Sequence, residues 1–283
     1  MVQRGVDRRF RHPAVRSVDA GDVALLYRAW EVENPRAHLR IVHGLGEHGG
    51  RYSRLAEALL ERGISTFAAD LRGHGVSGGR RGHVTRFEDY LEDHRRVLEA
   101  TPQSSPAFLL GQSLGGLIAL RLLQTGGTGT VRGAVLSAPA VDLPEPQPWW
   151  RDPAAKLLSP FAPNIAVGNG IDPADLSRDP AEVEAYRNDP LVHDRVTIRL
   201  FREMRRAMRR AREEGSAVTA PVLLLAPGDD RITAVAAALE VAADFATPAE
   251  IRELPEDLHE PLHDRGAGAV MQEIIRWIEG RID

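Results

Sequence analysis

Short apolar runs rich in Val, Ile and Leu alternate with longer amphipathic stretches along most of this chain. The alternation is typical of βαβ units, because a strand inside a parallel sheet is buried on both faces and each crossover needs a helix. We therefore predict an α/β fold with a mostly parallel, doubly wound sheet. The length of 283 residues is enough to bury a large core.

The predicted elements succeed one another as βαβ units require. An antiparallel pair is expected at 14–18 and 23–30. The further predicted strands are 39–43, 65–70, 107–110, 131–137, 222–226 and 250–254. The predicted helices are 52–62, 87–99, 114–124, 234–245 and 268–280.

Between residues 141 and 215 the pattern changes. Nine prolines between Pro144 and Pro190 interrupt this stretch, and only helix-like pieces are expected, such as 153–158 and 196–212. The simplest organisation is a core formed by residues 1–141 and 215–283, with residues 142–214 inserted as a mainly helical cap.

Composition excludes several classes of protein. The chain has no cysteine, which removes disulfides, thiol nucleophiles and cysteine-bound zinc, and its net charge of −4 does not indicate nucleic-acid binding. The first 13 residues lack an apolar segment typical of a secretory signal, and no run approaches 18 apolar residues. We expect a cytoplasmic protein, with peripheral membrane contact compatible with the sequence. No cofactor or metal is expected.

The most specific local signal is Gly111-x-Ser113-x-Gly115, which directly follows a predicted strand and opens a predicted helix. At such an elbow the serine backbone is strained, and the two glycines let strand and helix approach closely while the hydroxyl stays exposed. Ser113 is therefore a candidate nucleophile. The alternative is a glycine-rich turn in which Ser113 only caps the helix.

A serine nucleophile needs a histidine base and a carboxylate that orients the histidine. In this architecture the order along the chain is serine, acid, histidine, each at the carboxyl end of a strand. Asp229 and Asp230 follow the predicted strand 222–226, and His259 and His263 follow the strand 250–254. From these positions either aspartate could be the acid and either histidine the base.

Backbone donors for an oxyanion are also expected. One is the N–H of Leu114, directly after the candidate nucleophile, and the other is the N–H of Leu45 in the glycine-rich loop that follows the strand 39–43. The alternative for this loop is a flexible connection without any ligand.

Five segments carry a resemblance to a known family: HGLGEHGGRY at 43–52, RGHGVSGG at 72–79, LSAPA at 136–140, SRDP at 177–180 and YRNDPLVH at 186–193. They resemble the monoacylglycerol lipase and lysophospholipase branch of the α/β-hydrolase superfamily. The segment 43–52 is similar to the oxyanion segment of that family, and 72–79 is similar to its second glycine loop. The segment 136–140 is similar to the exit into the cap, and 177–180 and 186–193 are similar to the return from the cap.

The resemblance implies roles for individual residues. Ser113 would be the nucleophile, Asp230 the acid and His259 the base. The oxyanion hole would come from Leu45 and Leu114. A polar pocket for the glycerol head group would be formed by Glu47, Arg51 and Tyr186. The implied fold is the α/β-hydrolase fold with an inserted cap, and no metal is implied.

The chain departs from the family pattern at two positions beside the triad. Gln112 stands where a histidine usually precedes the nucleophile, and His263 stands where asparagine or another polar residue is common. The start of the cap, which carries Trp149 and Trp150, matches only loosely. The two tryptophans are candidates for lipid contact. The arginine-rich helix at 196–212 is interpreted as a cap helix with a solvated cationic face, with membrane contact as the alternative.

We therefore predict a serine hydrolase that cleaves carboxylic esters of single-chain lipids, monoacylglycerol above all, through an acyl-enzyme. A broad carboxylesterase, a lysophospholipase or a thioesterase or acyltransferase with the same triad is the alternative. A non-catalytic receptor is a third hypothesis, which the complete set of serine, aspartate and histidine disfavours. The expected partner is a small lipid ester.

Overall fold

The structure is a computed structural model that describes residues 13–127, 129, 131–144, 157 and 162–282. The strands of this part are β1 Ala14–Asp19, β2 Ala24–Trp30, β3 Ala37–Val42, β4 Ile64–Ala69, β5 Ala107–Gln112, β6 Val131–Ser137, β7 Ala166–Gly168, β8 Arg195–Thr197, β9 Val222–Pro227 and β10 Glu250–Leu254. The helices are α1 Ser53–Leu60, α2 Phe87–Ala100, α3 Leu114–Gln124, α4 Pro180–Asn188, α5 Ile198–Glu213, α6 Val235–Ala243 and α7 Ala267–Glu279.

Eight of these strands form one sheet in the spatial order β1, β2, β4, β3, β5, β6, β9 and β10. Strand β2 is antiparallel to β1 and β4, and every pair from β4 to β10 is parallel. The predicted α/β class and mostly parallel sheet are confirmed. Each predicted boundary in the described part lies within two residues of the observed one.

The core lies on both faces of the sheet. Strands β3, β4, β5 and β9 are buried along their whole length, which explains why apolar residues predominate in them. Successive side chains point to opposite faces, so Leu109 packs with one apolar layer and its neighbour Phe108 with the other. The carboxyl ends of the parallel strands therefore meet at one edge, where ligand sites form in open α/β sheets.

The expectation of only helix-like pieces between β6 and β9 is wrong in one respect. Strands β7 and β8 form a second, antiparallel sheet, in which Ala166 pairs with Thr197. Each strand has only three residues, too few to show an alternating pattern, and 26 residues separate them, so no hairpin signal links them.

Helix α5 begins two residues after its predicted start because Val196 and Thr197 belong to β8. The Thr197 hydroxyl caps the helix by accepting a hydrogen bond from the Leu200 backbone N–H at 3.2 Å. The apolar face of α5 is buried against the core of the same chain. Several of its arginines pair with acids, among them Arg210 with Glu88 at 2.6 Å. The expected apolar face is thus buried, and the assignment of this helix to a cap stays a prediction.

Two predictions about the start of the inserted segment lie outside the described residues. These are the lipid contact through Trp149 and Trp150 and the helical piece at 153–158, of which the structure describes only residue 157. Within the described ranges, no helix has both the length and the apolar character needed to cross a bilayer.

Candidate active site

Ser113 occupies a strained turn between β5 and α3. Its backbone has φ of 54° and ψ of −116°, a left-handed conformation that is uncommon for a residue with a side chain. A Cβ atom on Gly115 would lie 2.0 Å from the Val42 carbonyl oxygen, and one on Gly111 would lie 2.3 Å from the Gly115 carbonyl oxygen. Only glycine fits at both positions, because strand and helix approach each other there.

The Ser113 side chain does not serve as a helix cap. It precedes α3 but makes no capping hydrogen bond, so the capping interpretation does not explain the serine. The strained backbone is held by its main-chain bonds: the Ser113 N–H donates to the Ser137 carbonyl, and the Ala140 N–H donates to the Ser113 carbonyl, each at 3.0 Å. The hydroxyl faces a cavity of about 200 Å³.

Asp230 and His259 form a buried hydrogen-bonded pair. The Nδ1 atom of His259 lies 2.8 Å from Oδ2 of Asp230, and both side chains are almost completely buried. Because an ionised carboxylate only accepts hydrogen bonds, Nδ1 carries a proton, and in the neutral tautomer that this bond selects Nε2 has a lone pair. This is the tautomer that a general base needs.

The Asp230 carboxylate is held by four hydrogen bonds in total. Besides His259, it accepts from the backbone N–H groups of Ile232 at 2.7 Å and Thr233 at 3.0 Å, and from the Thr233 hydroxyl at 2.7 Å. Burial acts to raise the pKa of Asp230, but the His259 ring and the hydrogen bonds from Thr233 outweigh it, so the pKa is lowered. The group therefore stays ionised at neutral pH.

The two residues that the sequence left as alternatives have other partners. Asp229 points outward, where its Oδ2 atom lies 2.6 Å from the guanidinium of Arg178 and 3.2 Å from that of Arg231. His263 donates from Nε2 to the Arg51 carbonyl at 3.0 Å. Of the two candidate acids and the two candidate bases, the structure brings Asp230 and His259 together.

The loop after β3 lies directly beside Ser113. A Cβ atom on Gly44 would lie 3.3 Å from the Ser113 Cβ, and Leu45 and Leu114 line the same cavity as Ser113. His43 fixes the start of the loop, because its Nδ1 donates to the Gly44 carbonyl at 2.8 Å. The backbone N–H groups at the start of a helix such as α3 have no partner within the helix, so the Leu114 N–H is available to a ligand.

Glu47 stabilises this loop from within. Its Oε1 atom accepts from the Gly44 backbone N–H at 2.5 Å and from the Tyr52 hydroxyl at 2.9 Å, and its Oε2 atom accepts from Arg51 at 2.9 Å. The side chain is buried. Both carboxylate oxygens are thus engaged by the protein, and they set the position of the Gly44 peptide next to Ser113.

Arg51 continues this network to Glu260, a residue that the sequence analysis did not single out. The two groups form a bidentate pair at 2.9 and 2.7 Å. Burial opposes both charges, but each charge stabilises the other, so the pKa of Glu260 is lowered and that of Arg51 is raised. Glu260 directly follows His259, and its position in that loop is the only signal in the sequence that could have pointed to it.

Tyr186, the third residue predicted for the polar pocket, lies over this network. The guanidinium carbon of Arg51 is 4.8 Å from the centre of its ring. The Tyr186 hydroxyl makes no hydrogen bond with any residue that the structure describes. The structure thus brings Glu47, Arg51 and Tyr186 together beside the loop that carries Leu45.

The cavity in front of Ser113 has mostly apolar walls, with polar side chains such as Asn169 and Asp175 also lining it. Its larger apolar lining side chains include Leu45, Leu114, Leu143, Ile171, Phe201, Met204 and Met208. A hydroxyl on a strained turn, a histidine in the base tautomer, backbone donors nearby and an apolar cavity are the parts that acyl transfer to a serine uses. The arrangement suits an ester with an apolar acyl chain.

Comparison with known proteins agrees with this chemistry. The model of the Hydrolase_4 family, described as serine aminopeptidase, S33, matches residues 33–266. The chain is 31% identical to the monoacylglycerol lipase of Mycolicibacterium smegmatis over 264 residues, which cover 91% of this chain and 94% of that protein. It is 29% identical over 262 residues to an uncharacterised abhydrolase domain-containing protein of Dictyostelium discoideum, of which it spans 28%.

Comparison with solved structures also finds a monoacylglycerol lipase. The crystal structure of the monoacylglycerol lipase of Paleococcus ferrophilus matches with a TM-score of 0.84 at 33% identity, covering 91% of this chain and 99% of that one. The resemblance inferred from the five sequence segments is confirmed. The chain therefore belongs to the α/β-hydrolase family, in the branch that contains the monoacylglycerol lipases, and it is a carboxylic ester hydrolase.

Proposed function

We propose that this protein hydrolyses monoacylglycerols to glycerol and fatty acid, with Ser113 as nucleophile, His259 as base and Asp230 as the acid that orients it. The hydrogen bond of 2.8 Å between Asp230 and His259 is the observation that carries the proposal. It supports a base tautomer of His259 at the sheet edge where the strained Ser113 lies.

The proposed reaction has two steps. The Ser113 Oγ attacks the ester carbonyl while its proton passes to Nε2 of His259, and the developing oxyanion accepts from the N–H groups of Leu45 and Leu114. The glycerol oxygen leaves with the proton from His259, which yields an acyl-enzyme. Water then attacks the acyl carbon, gives its proton to His259 and releases the fatty acid as the proton returns to Ser113.

For the glycerol head group we propose the polar pocket of Glu47, Arg51 and Tyr186. Because both oxygens of Glu47 are engaged within the loop, its contribution is to hold the wall of the pocket. The Tyr186 hydroxyl has no hydrogen-bond partner among the described residues. It would lie 3.5 Å from a Cβ on Gly46, in the loop that carries Leu45. It is therefore the group best placed to bond a glycerol hydroxyl.

We also propose the division into a core of residues 1–141 and 215–283 and a cap of residues 142–214. All strands of the large sheet come from the core, and the described part of the cap supplies Ile171, Phe201, Met204 and Met208 to the cavity wall. The cap would thus cover the acyl chain. Cytoplasmic location and peripheral contact of the cap with membranes remain predictions.

The test is a substrate panel with wild-type protein and Ser113→Ala. Monoacylglycerols should have the highest kcat/KM, ahead of lysophospholipids, nitrophenyl esters and thioesters of the same acyl length. The alanine variant should lose turnover by at least about a thousandfold. A preference for lysophospholipid or thioester would transfer the proposal to that class, and substantial turnover by the alanine variant would reject the serine mechanism.

A further inference from the structure

Gln112 contacts the backbone of the histidine that we propose as the base. It is the last residue of β5, directly before Ser113, and only 1% of it is exposed. Its Nε2 atom donates to the His259 carbonyl at 2.9 Å. The end of the strand that carries the nucleophile is thereby bonded to the loop that carries His259.

The orientation of this amide follows from its partner. A carbonyl oxygen only accepts hydrogen bonds, so the NH₂ group of Gln112 must face His259 and its Oε1 atom must face away. Ser137 is the register partner of Gln112 on β6, so the two side chains point to the same face of the sheet. The buried hydroxyl of Ser137, which can rotate to donate, has no hydrogen-bond partner among the described residues. The Oε1 atom of Gln112 has none there either.

The loop that carries His259 needs such support. It follows β10, the edge strand of the sheet, whose side chains are mostly exposed. The neighbours of His259 are held by Leu258 N–H to Asp264 at 2.8 Å and by Glu260 N–H to the Leu176 carbonyl at 2.9 Å. The Leu258 bond acts on a preceding peptide, whereas the Glu260 N–H belongs to the same peptide group as the His259 carbonyl, so the bonds to Leu176 and from Gln112 hold that group at its two polar atoms.

The Asp230 bond holds the imidazole ring of His259 at Nδ1 only, so the direction of Nε2 also depends on where the His259 backbone lies. We propose that Gln112 is a positioning residue: its amide fixes the His259 main chain so that Nε2 faces the Ser113 hydroxyl. The inference rests on the proposed function, because it assigns Gln112 a role through the proposed base. Gln112 is buried and is not among the residues that line the cavity in front of Ser113.

The role predicts which side chains are accepted at position 112. Methionine has the length of glutamine but no donor, so Gln112→Met removes the bond while filling nearly the same space. In histidine, Nε2 is separated from Cβ by the same number of bonds as Nε2 of glutamine. Gln112→His therefore keeps a donor for the same carbonyl, although its ring is wider.

The experiment compares kcat and KM for Gln112→Met, Gln112→His and a control, Gln124→Met. Gln124 also donates from Nε2 to a backbone carbonyl, that of Ala211 at 2.8 Å, but it lies at the far end of α3. We expect kcat to fall about 10- to 100-fold in Gln112→Met with KM within about twofold, because misplacing a base by a fraction of an ångström acts on the transition state. Gln112→His should recover most of kcat, and Gln124→Met should keep it.

Labelling of Ser113 with a serine-reactive phosphonate separates this inference from the proposed function. If wild-type protein is labelled at Ser113 and Ser113→Ala is inactive, the function stands, and an unchanged kcat in Gln112→Met would overturn the positioning role alone. The positioning role would also be overturned by a Gln112→His variant that is folded and is labelled at Ser113 but has a kcat as low as that of Gln112→Met. Failure of the Ser113 result itself would instead reject the proposed function.

Discussion

Replacing Asp230 by asparagine should disable the base while leaving the fold intact. The Oδ1 atom accepts two backbone N–H groups, from Ile232 and Thr233, so the amide oxygen of asparagine must occupy that position. The amide nitrogen then takes the place of Oδ2 of Asp230, which lies 2.8 Å from Nδ1 of His259. Two donors cannot bond each other, so the ring proton moves to Nε2, where it blocks acceptance of the Ser113 proton.

The expected loss follows from that change of tautomer. The variant should lose about a thousand- to ten-thousandfold in kcat, or about 4 to 5.5 kcal/mol of transition-state stabilisation. The matched control is Asp229→Asn. Asp229 lies one residue away but pairs with Arg178 and Arg231 at the surface, where an ion pair contributes about 1 kcal/mol or less. We expect its kcat to stay within about twofold of wild type.

Steady-state hydrolysis of a monoacylglycerol, together with thermal unfolding of each variant, checks this prediction. The melting temperature of Asp230→Asn should show that the protein is folded at the assay temperature. The reasoning is refuted if Asp230→Asn keeps more than about a tenth of wild-type kcat, or if Asp229→Asn loses as much activity as Asp230→Asn.

Two further predictions concern the framework of the site. Gly115→Ala should lower the free energy of unfolding by about 3 kcal/mol or more, because the new Cβ would lie 2.0 Å from the Val42 carbonyl oxygen. The control is Gly268→Ala, whose Cβ would meet nothing within 4 Å and which should change the free energy of unfolding by less than about 1 kcal/mol. Chemical denaturation measures both values, and an equal loss of stability in the two variants would contradict the packing argument. Because the pKa of Glu260 is lowered in the folded protein, the stability that this group contributes is present above its ordinary value of 4.5 and is lost as the pH falls below it. Denaturation between pH 3 and 7 should show this decline, with a smaller slope in the double variant Arg51→Met, Glu260→Leu; an equal slope would show that the ion pair is not its source.

Most of the fold was predictable because the inner strands β3, β4, β5 and β9 are buried along their whole length and are therefore rich in apolar residues. The elbow at Ser113 was predictable for a related reason, since close approach of β5 and α3 requires glycines at fixed spacing. Strands β7 and β8 were not predictable, because three residues are too few to show a period and their pairing is decided by tertiary contacts.

The choice between neighbouring candidates also needed the structure. Asp229 and Asp230 have the same chemistry and adjacent positions, and only the direction of each side chain decides which one meets His259. Similarly, nothing in the sequence pairs Arg51 with Glu260 across 209 positions. Such long-range partners depend on how separate loops come together at the sheet edge.

The central claim is that Ser113 carries the acyl group during turnover. Rapid quenching of the wild-type protein with an activated ester, followed by mass spectrometry of the peptide that contains Ser113, tests it most directly. The account predicts a burst of about one acyl group per protein, located on Ser113 and absent in Ser113→Ala. An acyl group on another residue, or hydrolysis at the full rate without any covalent adduct, would contradict it.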